Sequence, residues 1–247
     1  MPFDPTTVAV AGALLLAAFV KGTTGFGFPL IATPMVALLL DIRTAITILI
    51  VPNIVMDAAQ IFRGGFPAAI MRRFKFLLIL TVLGVFLGTK VLVMLPLWAL
   101  NLALGIMILA FVVSNVFRFE PKVPPGFERL FSPVVGLAGG FLNGMTNAAG
   151  PVLASYLYSL KLPKTEFVRS IATIFMITKL AQLVAVSTWN LFAPATVMLS
   201  LEVTLFVLGG FYLGLKTQDR VNQKTFNRAL LAILFAIGAA LVWRALG

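Results

Sequence analysis

Eight apolar segments, six continuous and two interrupted, follow one another along the chain and predict a polytopic membrane protein. Each continuous segment is close to the roughly 20 residues that an α-helix needs to cross a bilayer. The segments cover residues 7–40 (interrupted), 44–62, 74–95, 97–117, 131–160 (interrupted), 167–188, 196–215 and 226–246. We therefore expect an all-α fold and a single membrane-embedded domain over residues 1–247.

The two interruptions share a pattern of Gly, then Thr or Asn, then Pro. The first reads Lys21-Gly22-Thr23-Thr24-Gly25-Phe26-Gly27-Phe28-Pro29, and the second, 122 positions later (143 − 21), reads Asn143-Gly144-Met145-Thr146-Asn147-Ala148-Ala149-Gly150-Pro151. The same offset carries Gln60 onto Gln182 and Asp57 onto Lys179. An internal repeat with broken apolar helices is typical of secondary transporters. We therefore divide one transport domain into repeat 1 (1–117), a linker (118–130) and repeat 2 (131–247).

The basic residues of the loops predict how the segments are arranged. Fourteen of the 19 Lys and Arg residues form four clusters, whereas the connections near 95–97 and 188–196 contain none. The clusters are Arg63/Arg72/Arg73/Lys75, Arg118/Lys122/Arg129, Lys161/Lys164/Arg169 and Lys216/Arg220/Lys224/Arg228. Because basic loops face the cytoplasm, all four clusters can do so only if each interrupted segment enters and leaves the membrane on one side. Arg43 is then the one loop charge on the wrong side.

Each interrupted segment is therefore predicted to form a re-entrant helical hairpin. Its arms, Val8–Val20 with Pro29–Leu40 and Phe131–Leu142 with Pro151–Leu162, contain 12 or 13 residues. That is about 18–20 Å of helix, too short for a bilayer core of about 30 Å. Each repeat then holds one hairpin plus three transmembrane helices, an odd number of crossings, so the two repeats are inverted. We expect the hairpin tips to meet near the midplane and both termini to lie outside.

Composition agrees with this arrangement and excludes other classes of protein. Hydrophobic residues make up 60% of the chain, charged residues 11%, and the mean hydropathy is +1.05, which is incompatible with an ordinary soluble domain. The net charge of +11 follows from the basic loops, so we expect a lipid bilayer and no nucleic acid as partner. There is no Cys and no His, and no metal site or cofactor is expected. The N-terminus lacks the basic region of a cleavable signal peptide.

The two hairpin tips form the candidate binding site. Pro29 and Pro151 lie in the first turn of half-helices whose free N–H groups and positive dipole ends would point at the membrane centre. Lys21 adds a full positive charge at the first tip, so the pattern predicts an anion site. The candidate substrate-binding residues are Lys21, Gly22, Thr23, Thr24, Gly25, Phe28, Asn53, Asp57, Gln60, Asn143, Gly144, Thr146, Asn147, Lys179 and Gln182. The alternative is that the Gly and Thr residues only allow close helix packing.

Ionisable and amide side chains within the spans leave two interpretations open. Asp57 and Lys179 are expected to pair, either at the substrate site or as a structural ion pair. Gln60 and Gln182 either donate to substrate oxygens or join helices. Coupling to protons or sodium also stays open, and Asp57 and Glu202 are the only carboxylates that could titrate within the membrane.

Other functions are less compatible with the residues present. A membrane enzyme is disfavoured because the chain has no His, no Cys, no G-x-S-x-G or HExxH motif and no paired intramembrane carboxylates. Lys21 and Lys179 beside one deep carboxylate argue against a cation carrier. An anion channel remains an alternative to an anion carrier, and a carboxylate or an inorganic anion remains open as the substrate.

At its duplicated hairpins the chain resembles the TauE/SafE family, also called the toluene-sulfonate uptake permeases. The resemblance is carried by Gly22 to Pro29, by Gly144 to Pro151, by the size and by the four-segment repeat, and covers essentially the whole chain. It implies a multi-pass carrier of the bacterial inner membrane for sulfur-containing organic or inorganic anions such as sulfonates and sulfite. Both import and export occur in the family. The residues themselves indicate an anion, and the sulfur comes only from the resemblance.

Overall fold

The described part of the chain is a bundle of α-helices. The computed structural model describes residues 5–63, 65–117, 127–191, 194–217 and 223–246, and within them it contains twelve α-helices and no strand. The helices are α1 (Pro5–Thr24), α2 (Phe28–Leu39), α3 (Ile42–Ile48), α4 (Ile50–Phe62), α5 (Ala68–Arg73), α6 (Lys75–Met94), α7 (Leu97–Val116), α8 (Glu128–Thr146), α9 (Gly150–Ser159), α10 (Lys164–Thr188), α11 (Pro194–Thr217) and α12 (Gln223–Leu246). The predicted all-α polytopic class is confirmed.

Six stretches of helix in the described residues are long and apolar enough to cross a membrane. They are Ile42–Phe62, Lys75–Met94, Leu97–Val116, Lys164–Thr188, Pro194–Thr217 and Arg228–Leu246. They coincide with the six continuous segments of the sequence, while the apolar parts of the first hairpin, Val8–Thr24 and Phe28–Leu39, are shorter. The number of helices long and apolar enough to cross agrees with the six predicted crossings.

The first of these spans is divided into α3 and α4 by a proline. Pro52 has no N–H to donate to the carbonyl of Ile48 one turn earlier, and α3 ends at that residue. The Ser200 hydroxyl of α11 donates to this carbonyl at 2.8 Å and so gives it a partner. The helix is therefore interrupted between α3 and α4, and the Ile48 carbonyl at this interruption is not left unpaired.

The two breaks are shorter than the sequence predicts. Helix α1 has 20 residues and α8 has 19, so both extend into the predicted tips, and only residues 25–27 and 147–149 between the hairpin helices are non-helical. Backbone with positive φ reverses the chain at Gly25 (88°), Gly27 (99°) and Asn147 (62°). The predicted first arms of 12 or 13 residues were therefore wrong, and at 1.5 Å per residue α1 and α8 are each about 30 Å long. The second arms, with 12 and 10 residues, stay short.

Each hairpin is clamped by a helix from the other repeat. Three glycines of α8 place their backbone directly on α6 carbonyls, Gly136 on Leu77, Gly140 on Thr81 and Gly144 on Val85. The spacing of four on both helices shows that they run parallel and pack backbone to backbone. Likewise α11 packs parallel to α1, with Gly210 on the Leu15 carbonyl and Gly214 on that of Phe19. Helices α6 and α11 thus hold the hairpins of the opposite repeats.

Equivalent helices of the two repeats pack antiparallel. On α4 and α10, Asp57 interacts electrostatically with Lys179, and Gly65 beyond the end of α4 accepts a hydrogen bond from Arg169 near the start of α10. On α7 and α12, Gly105 lies against Val242, while Gly238 lies against Leu109. Antiparallel packing of equivalent helices is what inverted repeats would produce. Inversion across a membrane, and the division into repeats 1–117 and 131–247, stay predictions.

Ionic contacts bring three of the predicted basic clusters to one end of the bundle. Arg73 donates to Glu128 at 3.1 Å and to Glu166 at 2.9 Å, and these carboxylates adjoin the basic residues of the second and third clusters. The hydrogen bond to Glu128 raises the pKa of the Arg73 guanidinium. Arg118, Lys122 and Arg220, and the Lys224 side chain, lie outside the described residues.

The arginine that did not fit the predicted topology closes the end of a helix. Arg43 donates to the carbonyls of Leu92 (3.1 Å), Val93 (3.0 Å) and Leu95 (2.7 Å) at the C-terminal end of α6. These carbonyls have no partner within the helix and carry its negative dipole end. A local capping role therefore accounts for the position of Arg43.

Candidate functional site

Eight polar side chains are buried where α1, α4, α8 and α10 meet, and we call them the polar cluster. Their exposed fractions are at most 4%. The members are Lys21, Asn53, Asp57, Gln60, Asn143, Asn147, Lys179 and Gln182. So many polar groups inside apolar helices are costly unless they are paired, and every member makes at least one hydrogen bond within its own half of the cluster.

The half formed by repeat 1 is centred on Lys21. Its ammonium, in the last turn of α1, donates to Asn53 Oδ1 and to Asp57 Oδ1, both at 2.5 Å. Gln60 Nε2 donates to the backbone carbonyl of Lys21 at 3.3 Å. Positions 53, 57 and 60 are spaced four and three apart, so α4 presents all three side chains on one face. Lys21 is thereby held by one helix face.

The half formed by repeat 2 is centred on Lys179 of α10. Its ammonium donates to Asn147 Oδ1 at 2.5 Å and to Gln182 Oε1 at 2.6 Å. Asn143 Nδ2 also donates to Gln182 Oε1, and Gln182 Nε2 returns a bond to the Asn143 carbonyl at 3.0 Å. Gln60 and Gln182 thus make the same contact, each with the backbone carbonyl of the equivalent residue, 21 or 143. In both halves the glutamine side-chain amide joins a hairpin to one of the six apolar spans.

The expected direct pair between Asp57 and Lys179 is not formed. Asp57 is paired with Lys21, with both side chains fully buried, whereas Lys179 has only amide oxygens as direct partners. The reason is that the last turn of α1 delivers Lys21 beside Asp57, and Lys179 lies beside its own hairpin break at Asn147. The charges of Lys179, Asp57 and Lys21 nevertheless interact at longer range.

The charges of the cluster do not balance. The cluster contains two lysines and one carboxylic acid, so its fully ionised form has one positive charge in excess, in a region without exposure to water. Four of its atoms have no hydrogen-bond partner among the described residues, namely Asn53 Nδ2, Asp57 Oδ2, Gln60 Oε1 and Asn143 Oδ1. Buried polar atoms are nearly always partnered. The cluster therefore has both unused charge and unused hydrogen-bonding capacity.

The remaining predicted residues support the hairpins and make no described contact with the cluster. Thr23 and Thr24 donate to the Val20 carbonyl, and Thr24 also donates to the carbonyl of Phe26. Thr146 donates to the Leu142 carbonyl and lies 3.4 Å from Met107 Sδ. The others serve packing: Gly22 against α11, Gly144 against α6, Gly25 against Val168 and Phe28 in the hydrophobic core.

Sequence reasoning missed some polar residues near the hairpins. Thr33 of α2 accepts a hydrogen bond from Asn147 Nδ2 at 3.2 Å, which links the second break to the second arm of the first hairpin. The buried hydroxyls of Thr81, Thr89 and Ser170 have no partner in the protein. Their only signal in the sequence is a hydroxyl inside an apolar segment, which is too common to single them out.

An aromatic cluster lies against the first break. Tyr158 and Phe167, which flank the turn between α9 and α10, stack at 4.4 Å, and the Phe26 ring lies edge-on to them at 6.4 and 6.1 Å. The first break thus packs on the end of the second hairpin that is remote from its own break. Asn147 of the second break instead binds Thr33 and Lys179. The meeting of the two tips near the midplane stays a prediction.

Among the described residues, no group of three or more Asp, Glu, His or Cys side chains could hold a metal ion. Neither the curated proteins nor the solved structures give a match to the chain. Among known families, residues 10–241, nearly the whole chain, match one described as sulfite exporter TauE/SafE. The proteins of that family are transporters, which agrees with six apolar spans around a buried, charged cluster. The chain belongs to the sulfite exporter TauE/SafE family of membrane transporters.

Proposed function

We propose that this protein is a secondary transporter that moves a sulfur-containing anion, a sulfonate or sulfite, across the bacterial inner membrane by alternating access. The substrate binds at the polar cluster between the two hairpins. The observation that carries this proposal is the pair of fully buried ammonium groups, Lys21 and Lys179, opposite the single carboxylate of Asp57. Their positive charge would attract an anion into the cluster.

The chemistry of a sulfonate suits these groups. Its three oxygens spread one negative charge over a trigonal face and accept several hydrogen bonds. Lys21 and Lys179 supply charged donors, and Asn53 Nδ2 is a donor without a partner in the protein. Hydrogen bonds to charged groups contribute roughly 1.5–3 kcal/mol each. Several are needed because the anion loses its hydration shell on entering.

A carrier agrees better than a channel with the burial of the cluster. All eight members are closed off from solvent on both sides, as an occluded intermediate of alternating access would be. The backbone contacts of α6 with α8 and of α11 with α1 favour movement of each pair as one unit against the other helices. Gly84, Gly88 and Gly210 lie in these contacts, whereas Gly209, which the sequence groups with them, has no neighbour at its Cβ position.

Ligand-induced stabilisation tests the proposed substrate class. Purified protein in detergent is heated with sulfite, sulfate, thiosulfate, small alkyl sulfonates, toluene sulfonate and matched carboxylates. A ligand that binds the folded state raises the apparent Tm. We expect a selective rise with a sulfur anion that is lost in Lys21→Ala and Asn143→Ala but kept in Lys216→Ala, an exposed lysine lying over the Tyr212 ring. A rise only with carboxylates would reassign the substrate.

Transport measurements then separate a carrier from a channel. In proteoliposomes loaded with the stabilising anion, a carrier gives saturable counterflow of labelled anion, because the binding site is exposed to one side at a time. Unitary conductance steps without counterflow would instead establish an anion channel. Sulfite and one alkyl sulfonate measured in both directions would also determine import against export.

A further inference from the structure

We infer that Asp57 takes up a proton whenever an anion occupies Lys21, so that each anion is carried together with a proton. This inference rests on the proposed function and names its coupling ion. The structural basis is a carboxylate that uses only one of its two oxygens. Asp57 Oδ1 accepts from Lys21, whereas Oδ2 is buried and has no hydrogen-bond partner in the part of the chain that the structure describes.

Asp57 is set apart from every other described carboxylate. It is the only acidic side chain among the described residues that is fully buried. Asp41 accepts from two backbone N–H groups at the start of α3, and Glu128 and Glu166 bind Arg73 at the bundle end. Glu202, the other carboxylate within a span, lies on the exposed face of α11. Asp57 alone could couple a proton to the cluster.

The charged groups that face Asp57 come from two of the helices around it. Lys21 reaches it from α1, and Lys179 acts on it from α10 at longer range. On the other neighbours of α4, Arg43 of α3 is bound to carbonyls at the end of α6, and the exposed residues Glu202 and Lys216 belong to the outer face of α11. Among the described residues no second cation is in direct contact with Asp57, and Lys21 is its ion partner there.

An anion and Asp57 therefore compete for one ammonium group. When Lys21 turns to the anion, Asp57 is left as a buried carboxylate without a direct ion partner, which is an unfavourable state. A proton from the water on the side where the anion enters binds Oδ2 and removes this cost. The O–H bond formed there breaks again when the anion leaves on the other side and Lys21 returns. No other bond changes in the cycle.

Proton uptake also keeps the charge of the cluster constant. With both lysines protonated and Asp57 ionised, the cluster without substrate has a charge of +1 (2 − 1). With a singly charged anion bound and Asp57 neutral, the sum is again +1. The empty and loaded clusters then meet the same electrostatic barrier in the membrane, and the membrane potential no longer opposes entry of the anion. The direction of net flux follows the combined anion and pH gradients.

Calorimetric titration of the full chain in detergent counts the protons. Toluene sulfonate and methanesulfonate are suitable probes because their charge does not change with pH. The binding heat is measured at one pH in buffers of different ionisation enthalpy, and its slope gives the protons taken up per anion. We expect a value near one for the wild type and for the matched control Glu202→Gln, and a value near zero for Asp57→Asn at saturating ligand.

Each outcome of the titration is decisive. Anion binding without proton uptake in the wild type overturns this inference and leaves the proposed function intact, whereas no binding of any sulfur anion defeats the proposed function itself. Uptake that persists in Asp57→Asn assigns the proton elsewhere and refutes the role of Asp57. If that variant does not fold, infrared difference spectra of the wild type test whether Asp57 becomes protonated when the anion binds. Anion binding must then produce the C=O stretching band of a protonated carboxyl group, shifted by isotope labelling of aspartate.

Discussion

The buried pair of Lys21 and Asp57 gives a sharp prediction for stability. Lys21→Met keeps the length of the side chain and removes its charge, which leaves Asp57 without a direct ion partner at zero exposure. Removing one partner of a buried ion pair costs about 3–5 kcal/mol. For a chain of this size that corresponds to a fall in Tm of roughly 6–20 °C. Asp57→Asn, which leaves the ammonium of Lys21 unpaired, should cost a similar amount.

The double variant Lys21→Met/Asp57→Asn measures the coupling between the two residues. Because neither buried charge remains, its destabilisation should be smaller than the sum of the two single effects by about 2 kcal/mol. The assay is thermal unfolding in detergent, with size-exclusion chromatography to confirm that each variant is monodisperse. Single effects that simply add, within about 0.5 kcal/mol, would refute the reasoning. They would mean that the two residues act independently.

A matched control comes from the ion pair of Arg73 with Glu128. Its side chains are 38% and 34% exposed, and ion pairs in contact with water contribute about 0–1 kcal/mol. The cycle of Arg73→Met and Glu128→Gln should therefore show a coupling energy below about 1 kcal/mol. A control coupling as large as that of the buried pair would show that the assay reports something other than burial.

Three further predictions concern packing, the bend of the first span and the second lysine. Gly140→Val should lower the free energy of unfolding by about 1–3 kcal/mol because the new side chain would collide with the backbone of α6. Gly209→Val, with open space around it, should leave Tm nearly unchanged. Equal losses of Tm in the two variants would contradict the packing of α8 on α6. Ser200→Ala should lower the unfolding free energy by about 1–3 kcal/mol, since the Ile48 carbonyl loses its donor, and an unchanged Tm would show that this bond is dispensable. Lys179→Met should abolish the stabilisation by a sulfur anion, and a preserved shift in Tm would remove Lys179 from the site.

The sequence predicted those parts of the fold that depend on local pattern. The six continuous apolar segments became six spans because length and hydropathy alone decide that property. The extent of the hairpin arms was not predictable in the same way. Gly22 and Gly144 suggest helix breaks, yet both lie within helices and pack on α11 and α6. Whether a glycine breaks a helix or allows close packing depends on a neighbour far away in the chain.

The partners within the site show the same limit. The offset of the repeat relates Gln60 to Gln182, and the structure gives both the same contact with a hairpin carbonyl. The same offset suggested a pair of Asp57 with Lys179. Equivalence by symmetry, however, does not determine which of the two lysines, Lys21 or Lys179, lies nearer to Asp57. That choice follows from the packing of α1 against α4, a long-range contact with no local signature.

The exchange of clamping helices between the repeats has a consequence for biosynthesis. The chain emerges N-terminus first, so α1 enters the membrane well before α11, whose backbone covers Gly22. Asp57 follows Lys21 after 36 residues (57 − 21), which allows the ion pair to form early. The face of α1 that contains Gly22, however, stays open to lipid until α11 is made. The second hairpin, by contrast, finds α6 already inserted. A nascent chain that stops before α11 would therefore carry a completed second hairpin and an unclamped first one, a species that cellular quality control can recognise.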